Sequence, residues 1–119
     1  MRRDKTIAIV DDDSGVRTSL ASLLRSVGYG VSTYGSATEF LAGGATPDCM
    51  VVDIQMPAMR GDELQARLLA TGRPVPMIFM TAFPAEPSRQ RVLAAGAAAY
   101  LEKPIETASL IKCIEKIVG

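Results

Sequence analysis

The chain has 119 residues, 48% of them hydrophobic, with 13 Lys plus Arg set against 13 Asp plus Glu. That length suits one compact domain with an ordinary core, and the charge balance argues against a broad basic footprint for nucleic acid or an anionic membrane. No window is apolar enough for long enough to span a bilayer, and the polar start (Arg2, Arg3, Asp4, Lys5) leads into a short strand rather than a signal peptide, so the expected location is the cytoplasm.

Strand and helix patterns alternate along the chain. Thr6–Val10 is a short β-rich run that ends in three consecutive carboxylates, Asp11, Asp12 and Asp13. A helix is predicted from about Ser14 to Val27, because Val16, Leu20, Leu23, Leu24 and Val27 share one face, with Gly28 placed as its C-terminal cap. A second strand fits Gly30–Tyr34. Ser36-Ala37-Thr38-Glu39 has the pattern of a capping box and opens a short helix carrying Phe40 and Leu41. A third strand covers Cys49–Val52 and ends at Asp53. After the loop IQMPAMRG, a helix from about Asp62 to Ala70 turns Leu64 and Leu68 inward.

A fourth strand covers Pro76–Met80 and ends at Thr81. Pro87 suits the first turn of a helix running to Ala95, which Gly96 ends. Ala98–Leu101 is a weaker fifth strand, followed by Lys103-Pro104. The last helix is expected to bury Leu110, Ile111, Ile114, Ile117 and Val118. This (βα)5 alternation predicts an α/β fold: a doubly wound, five-stranded parallel sheet of order 2-1-3-4-5, with helices on both faces, as in flavodoxin-like folds. With no linker, repeat or low-complexity segment, residues 1–119 read as a single domain.

The chain has no histidine, which removes Ser-His-Asp and Cys-His machinery and any His-ligated metal site. Cys49 and Cys113 are too few for a zinc site, and both sit in apolar patterns that predict buried thiols. Chemistry must then come from carboxylates, hydroxyls, Lys or backbone groups. In a doubly wound sheet ligands bind beyond the carboxyl ends of the strands. Asp11 and Asp12, Asp53, Thr81 and Lys103 each lie at such an end. Asp13 is different: with Ser14 beside it, it reads as a helix N-cap. Crowded carboxylates repel, so either one stays protonated or a cation binds. An oxygen-rich site with open positions suits Mg²⁺, for which Mn²⁺ can substitute, and a phosphoryl group that Lys103 also neutralises and Thr81 hydrogen-bonds. Asp is an established phosphoryl acceptor.

Taken together, VDDD, VVDIQMPAMRGDEL, IFMTA and GAAAYLEKP resemble the receiver domain of two-component response regulators over essentially all of the chain. SLLRSVGYGVSTY and SATEFL are further similar to the nitrogen-fixation-regulator (FixJ-like) subgroup, whose members usually carry a helix-turn-helix output domain. The resemblance implies that Asp53 is the phosphoacceptor and that Asp12 contacts Mg²⁺ directly while Asp11 acts through water. It implies the backbone carbonyl of Gln55 as a further metal ligand, Lys103 as the phosphate-binding lysine, Thr81 and Tyr100 as the switch pair, and Pro104 after a cis bond. Met56, Pro57, Met59 and Gly61 can be explained as loop-shaping residues alone, and Tyr100 as a half-buried strand residue. Phe83 and Pro84 depart from the pattern, and a bulky Phe83 is expected to shield the acyl phosphate from water.

The phosphohistidine donor must come from another protein, a sensor histidine kinase or a phosphotransfer protein. The resemblance also implies a phosphorylation-dependent homodimer through the fourth helix and fifth strand. No nucleic-acid or membrane contact is expected of this segment, and it is not expected to be an enzyme beyond catalysing its own phosphorylation and dephosphorylation. The chain stops at Gly119 with no output domain, which fits either a stand-alone receiver acting by protein contact or a piece of a longer transcriptional regulator. Rival readings are weaker. An Asp-nucleophile phosphatase needs a second acid where Gln55 stands. A flavin module needs a Gly/Ser/Thr-rich loop where DDDSG stands. Nothing favours a degenerate receiver.

Overall fold

The computed structural model describes residues 4–119, so Arg2 and Arg3 of the polar start lie outside the described residues. Ten elements alternate: β1 (Thr6–Val10), α1 (Ser14–Ser26), β2 (Gly30–Tyr34), α2 (Ala37–Gly43), β3 (Cys49–Asp53), α3 (Gly61–Ala70), β4 (Met77–Thr81), α4 (Glu86–Ala94), β5 (Ala99–Glu102) and α5 (Thr107–Val118). All strand pairs are parallel, and the order is β2-β1-β3-β4-β5, as expected.

β1, β3 and β4 read as near-continuous apolar runs because both faces of the sheet are covered there. Alternate residues feed two cores. Ala8, Val10, Met50, Val52 and Phe79 pack with Phe40, Leu64, Leu68 and Val92 of α2, α3 and α4. Ile7, Ile9, Val51, Ile78 and Met80 pack with Leu20, Leu24, Leu110 and Ile114 of α1 and α5. β3 and β4 are buried along their whole length, which marks them as central strands.

The local signals act as the side chains dictate. Asp13 caps α1, its Oδ1 accepting from the N–H groups of Gly15 (2.9 Å) and Val16 (3.2 Å). At the other end Gly28 takes φ +100°, and the N–H of Tyr29 returns to the carbonyl of Leu24 at 3.1 Å. Ser36 Oγ accepts from the N–H of Glu39 (3.0 Å), but the Glu39 carboxylate reaches the N–H of Gly35 (3.1 Å), one residue before the cap. β4 starts at Met77 rather than Pro76: proline has no N–H to give, though its carbonyl still accepts from Met50 (2.9 Å).

Two burial expectations need correcting, those for α5 and for Cys113, while that for Cys49 holds. On α5 only Leu110 and Ile114 are fully buried; Ile111, Ile117 and Val118 are half-buried, because one helix on a sheet cannot hide so wide an apolar face. Cys49 is buried and its thiol is pushed up to about 12, chiefly by that burial. Cys113 is half-buried, lying on the flank of α5.

α4 buries a single apolar side chain, Val92, together with Ser88. Gln65 of α3 ties it down by donating to the Val92 carbonyl at 3.0 Å. The Ser88 hydroxyl is the one buried side-chain oxygen without a hydrogen-bond partner among the described residues. An unsatisfied buried hydroxyl costs about 1–3 kcal/mol. Ser88→Ala is therefore expected to stabilise the protein by about 1 kcal/mol, read as a higher urea midpoint at unchanged slope; a lower midpoint would contradict the assignment.

Candidate phosphoacceptor site

The site forms at the carboxyl edge of the sheet, where β1, β3, β4 and β5 end side by side. Asp11 follows β1 and is completely buried. Its N–H donates to the carbonyl of Tyr34 (3.1 Å), and Arg17, one turn into α1, donates to its backbone carbonyl (2.6 Å). Asp11 Oδ1 accepts from the N–H of Asp13 (2.9 Å), leaving Oδ2 for Lys103 Nζ at 2.9 Å. Lys103 Nζ also lies 3.5 Å from Asp53 Oδ2. Asp12 is exposed at the rim. Asp11, Asp12 and Asp53 each present a ligand oxygen, all within 4.8 Å of one another. Hard carboxylate oxygens, with one ligand at the solvent edge, are a donor set that fits Mg²⁺ or Mn²⁺.

The electrostatics follow from this crowding. Asp53 is 4% exposed, and its pKa is raised from 3.8 to about 6, first by burial and then by the charge of Asp11; Lys103 and the N–H of Gln55 oppose the shift. Burial alone would lower the Lys103 pKa, but its hydrogen bond to Asp11 and the attraction of both carboxylates raise it. Without a second cation, one ammonium thus balances two buried carboxylates, and part of the repulsion is relieved by partial protonation of Asp53.

Thr81 is buried at the end of β4, but its hydroxyl donates to Gln55 Oε1 (2.8 Å) and accepts from the N–H of Phe83 (3.0 Å). The Thr81 carbonyl accepts from the Lys103 N–H at 2.7 Å, which fixes the end of β5 against that of β4. Tyr100 is half-buried against the α3–α4 core, and its hydroxyl accepts from the N–H of Ala85 at the start of α4 (3.3 Å). The Lys103–Pro104 bond is cis. Phe83 is 73% exposed, so no packing fixes its ring over the site.

Three contributors escaped the sequence reading. Gly61 does more than end the loop. It is buried, its N–H donates to the Ile54 carbonyl (3.1 Å), and a Cβ there would collide with the backbone carbonyl of Asp53. Ala58 adopts φ +66°, a left-handed turn within the same loop that only its backbone reveals. The Gln55 side chain, as distinct from its carbonyl, holds Thr81. A glycine closing the strand-end loop was a visible signal; the other two had none.

Comparison with known families matches residues 7–115 to the response regulator receiver domain. The transcriptional regulatory protein FixJ of Azorhizobium caulinodans is 38% identical over 115 residues, covering 95% of this chain and 54% of that protein. The response regulator protein TmoT of Ectopseudomonas mendocina is 35% identical, covering 94% and 52%. Among solved structures, FixJ-N superposes with a TM-score of 0.87 at 36% identity, covering 96% of this chain and 93% of that one. The response regulator StyR gives 0.89 at 40% identity, covering 96% and 59%. The chain spans about half the length of the curated relatives it matches. A sheet of order 2-1-3-4-5 with buried acids at its carboxyl edge, matched by that profile along nearly its whole length, places this chain in the response regulator receiver domain family of bacterial two-component systems.

Proposed function

We propose that Asp53 accepts a phosphoryl group from a phosphohistidine on a sensor histidine kinase or phosphotransfer protein. The observation that carries this reading is the placement of Lys103 Nζ between Asp11 (2.9 Å) and Asp53 (3.5 Å), with Asp12 completing the acidic cluster at the rim. Asp11, Asp12, Asp53 and the Gln55 carbonyl are the residues that would hold the divalent cation. When bound, Mg²⁺ supplies positive charge that offsets the phosphoryl group and the carboxylates around it.

One Asp53 carboxylate oxygen forms a bond to phosphorus as the bond from phosphorus to the donor's imidazole nitrogen breaks. The imidazole leaves with the electron pair. Lys103 offsets the negative charge on the transferred group. The Thr81 hydroxyl then donates to a phosphoryl oxygen, and the space it vacates admits Tyr100, which gives up its hydrogen bond to Ala85. Because that bond ties β5 to the start of α4, phosphorylation reshapes the α4–β5 face, the surface for a phosphorylation-dependent homodimer. Balanced charge supports protein contact rather than nucleic-acid contact by this segment.

No helix among the described residues is long and apolar enough to cross a membrane, which agrees with a cytoplasmic receiver. The chain acts as one receiver domain that catalyses its own phosphorylation and dephosphorylation. Within a longer regulator like its relatives it controls transcription; alone it acts by protein contact.

Acetyl phosphate with Mg²⁺ is expected to add one phosphoryl mass to the native chain and none to Asp53→Asn, read by intact mass spectrometry. An unmodified native protein would leave the fold as an interaction module only.

A further inference from the structure

Thr81 has a single hydroxyl proton, and in the resting protein it is already committed. It is donated to Gln55 Oε1 at 2.8 Å, while the oxygen accepts from the Phe83 N–H at 3.0 Å. A phosphoryl group on Asp53 needs that same proton. Gln55 is bound to both sides of the question, because its own N–H donates to Asp53 Oδ1 at 3.3 Å. Gln55 is half-buried and can exchange its partner for water, whereas Thr81 is completely buried and cannot.

We propose that the Gln55 side chain is a latch: it holds the Thr81 hydroxyl in the resting state and competes with the phosphoryl group for it. The proposal rests on the reading of Thr81 as the hydroxyl that meets the phosphoryl group. Gln55 is then a positioning residue acting through Thr81, and its backbone, with the carbonyl offered to the cation, is untouched by side-chain substitution. The latch makes the switch bistable. Thr81 sits on Gln55 or on the phosphoryl group, and each partner is won at the expense of the other. Opening it exchanges one neutral hydrogen bond for another to water, so the bias it adds is small and removable: losing it shifts the equilibrium by about two- to tenfold.

The test is calorimetric titration of the native chain, Gln55→Met, Thr81→Ala and the double variant with beryllofluoride, a phosphoryl mimic, in the presence of Mg²⁺. Gln55→Met keeps the length of the side chain and removes its acceptor. The expected result is about two- to tenfold tighter binding for Gln55→Met than for the native chain, and no such gain when the same change is made in the Thr81→Ala background. A metal-free readout accompanies it: urea unfolding of the same four proteins, without Mg²⁺, is expected to show pairwise coupling between positions 55 and 81. Equal or weaker binding by Gln55→Met, the same gain in both backgrounds, or an absence of coupling overturns the latch while leaving the phosphoacceptor reading intact. A native chain that binds no beryllofluoride overturns both.

Discussion

Gly61→Ala is expected to destabilise the protein by about 3 kcal/mol or more and to loosen the β3–α3 loop with it. The added methyl would run into the Asp53 carbonyl oxygen, with the Asp53 carbonyl carbon and Val52 Cγ1 also crowding it at 3.1 Å. These neighbours are backbone and a buried strand residue, so no flexible side chain can yield. Either the start of α3 moves away, breaking the Gly61 N–H bond to Ile54, or β3 shifts and takes Asp53 with it. Gly72→Ala is the matching control. Its φ is +70°, yet nothing lies within 4 Å of the new methyl, so it should cost only about 1 kcal/mol of backbone strain. Urea midpoints give both values, and Mg²⁺ titration should weaken for Gly61→Ala alone. Equal costs at the two sites would show that the close approach to Asp53 is unimportant.

The second large effect is a gain in stability. Asp53 has a folded-state pKa of about 6 against 3.8 when unfolded, because burial and Asp11 disfavour its charge. For a carboxyl whose pKa is raised by folding, the associated stability is complete below pH 3.8 and is lost as pH rises through about 6. Above that, the buried charge burdens the metal-free protein by up to about 3 kcal/mol. Asp53→Asn carries no such charge. It is expected to be more stable than the native chain by about 2–3 kcal/mol at pH 7.5 with chelator present, with the gap shrinking towards zero near pH 4. Added Mg²⁺ should close much of the gap at pH 7.5 by stabilising the native chain more than the variant. A difference independent of pH would mean that the Asp53 charge is not what strains the folded state.

These two residues divide what the sequence could and could not reveal. Asp53 was legible because it follows an apolar run of strand length, and three other strands end in polar residues at corresponding places. Burial period and strand ends are encoded locally, and the parallel topology then brings Asp11, Asp53, Thr81 and Lys103 to one edge without further information. Gly61 was visible only as a loop breaker, since its reason lies in a backbone carbonyl eight residues earlier. The same limit hid the partner of Thr81. Apolar spacing places a hydroxyl at the end of β4, but the choice between Gln55 and an acidic neighbour depends on the path of the β3–α3 loop, including the left-handed turn at Ala58. α5 was over-read for a related reason: its apolar face is wider than the sheet can cover, and pattern alone does not report how much partner surface is available.

Lys103 and Asp11 stand 92 positions apart. During synthesis from the amino terminus, the acidic trio is therefore made first and its lysine counterweight arrives only after the fifth strand has emerged. Until β5 docks, the carboxylates lack the ammonium that tempers their repulsion, and the cleft cannot take its finished form. Completion of the cleft is in this way tied to completion of the sheet: a nascent or truncated chain ending before residue 103 carries the buried carboxylates but not the ammonium that balances them.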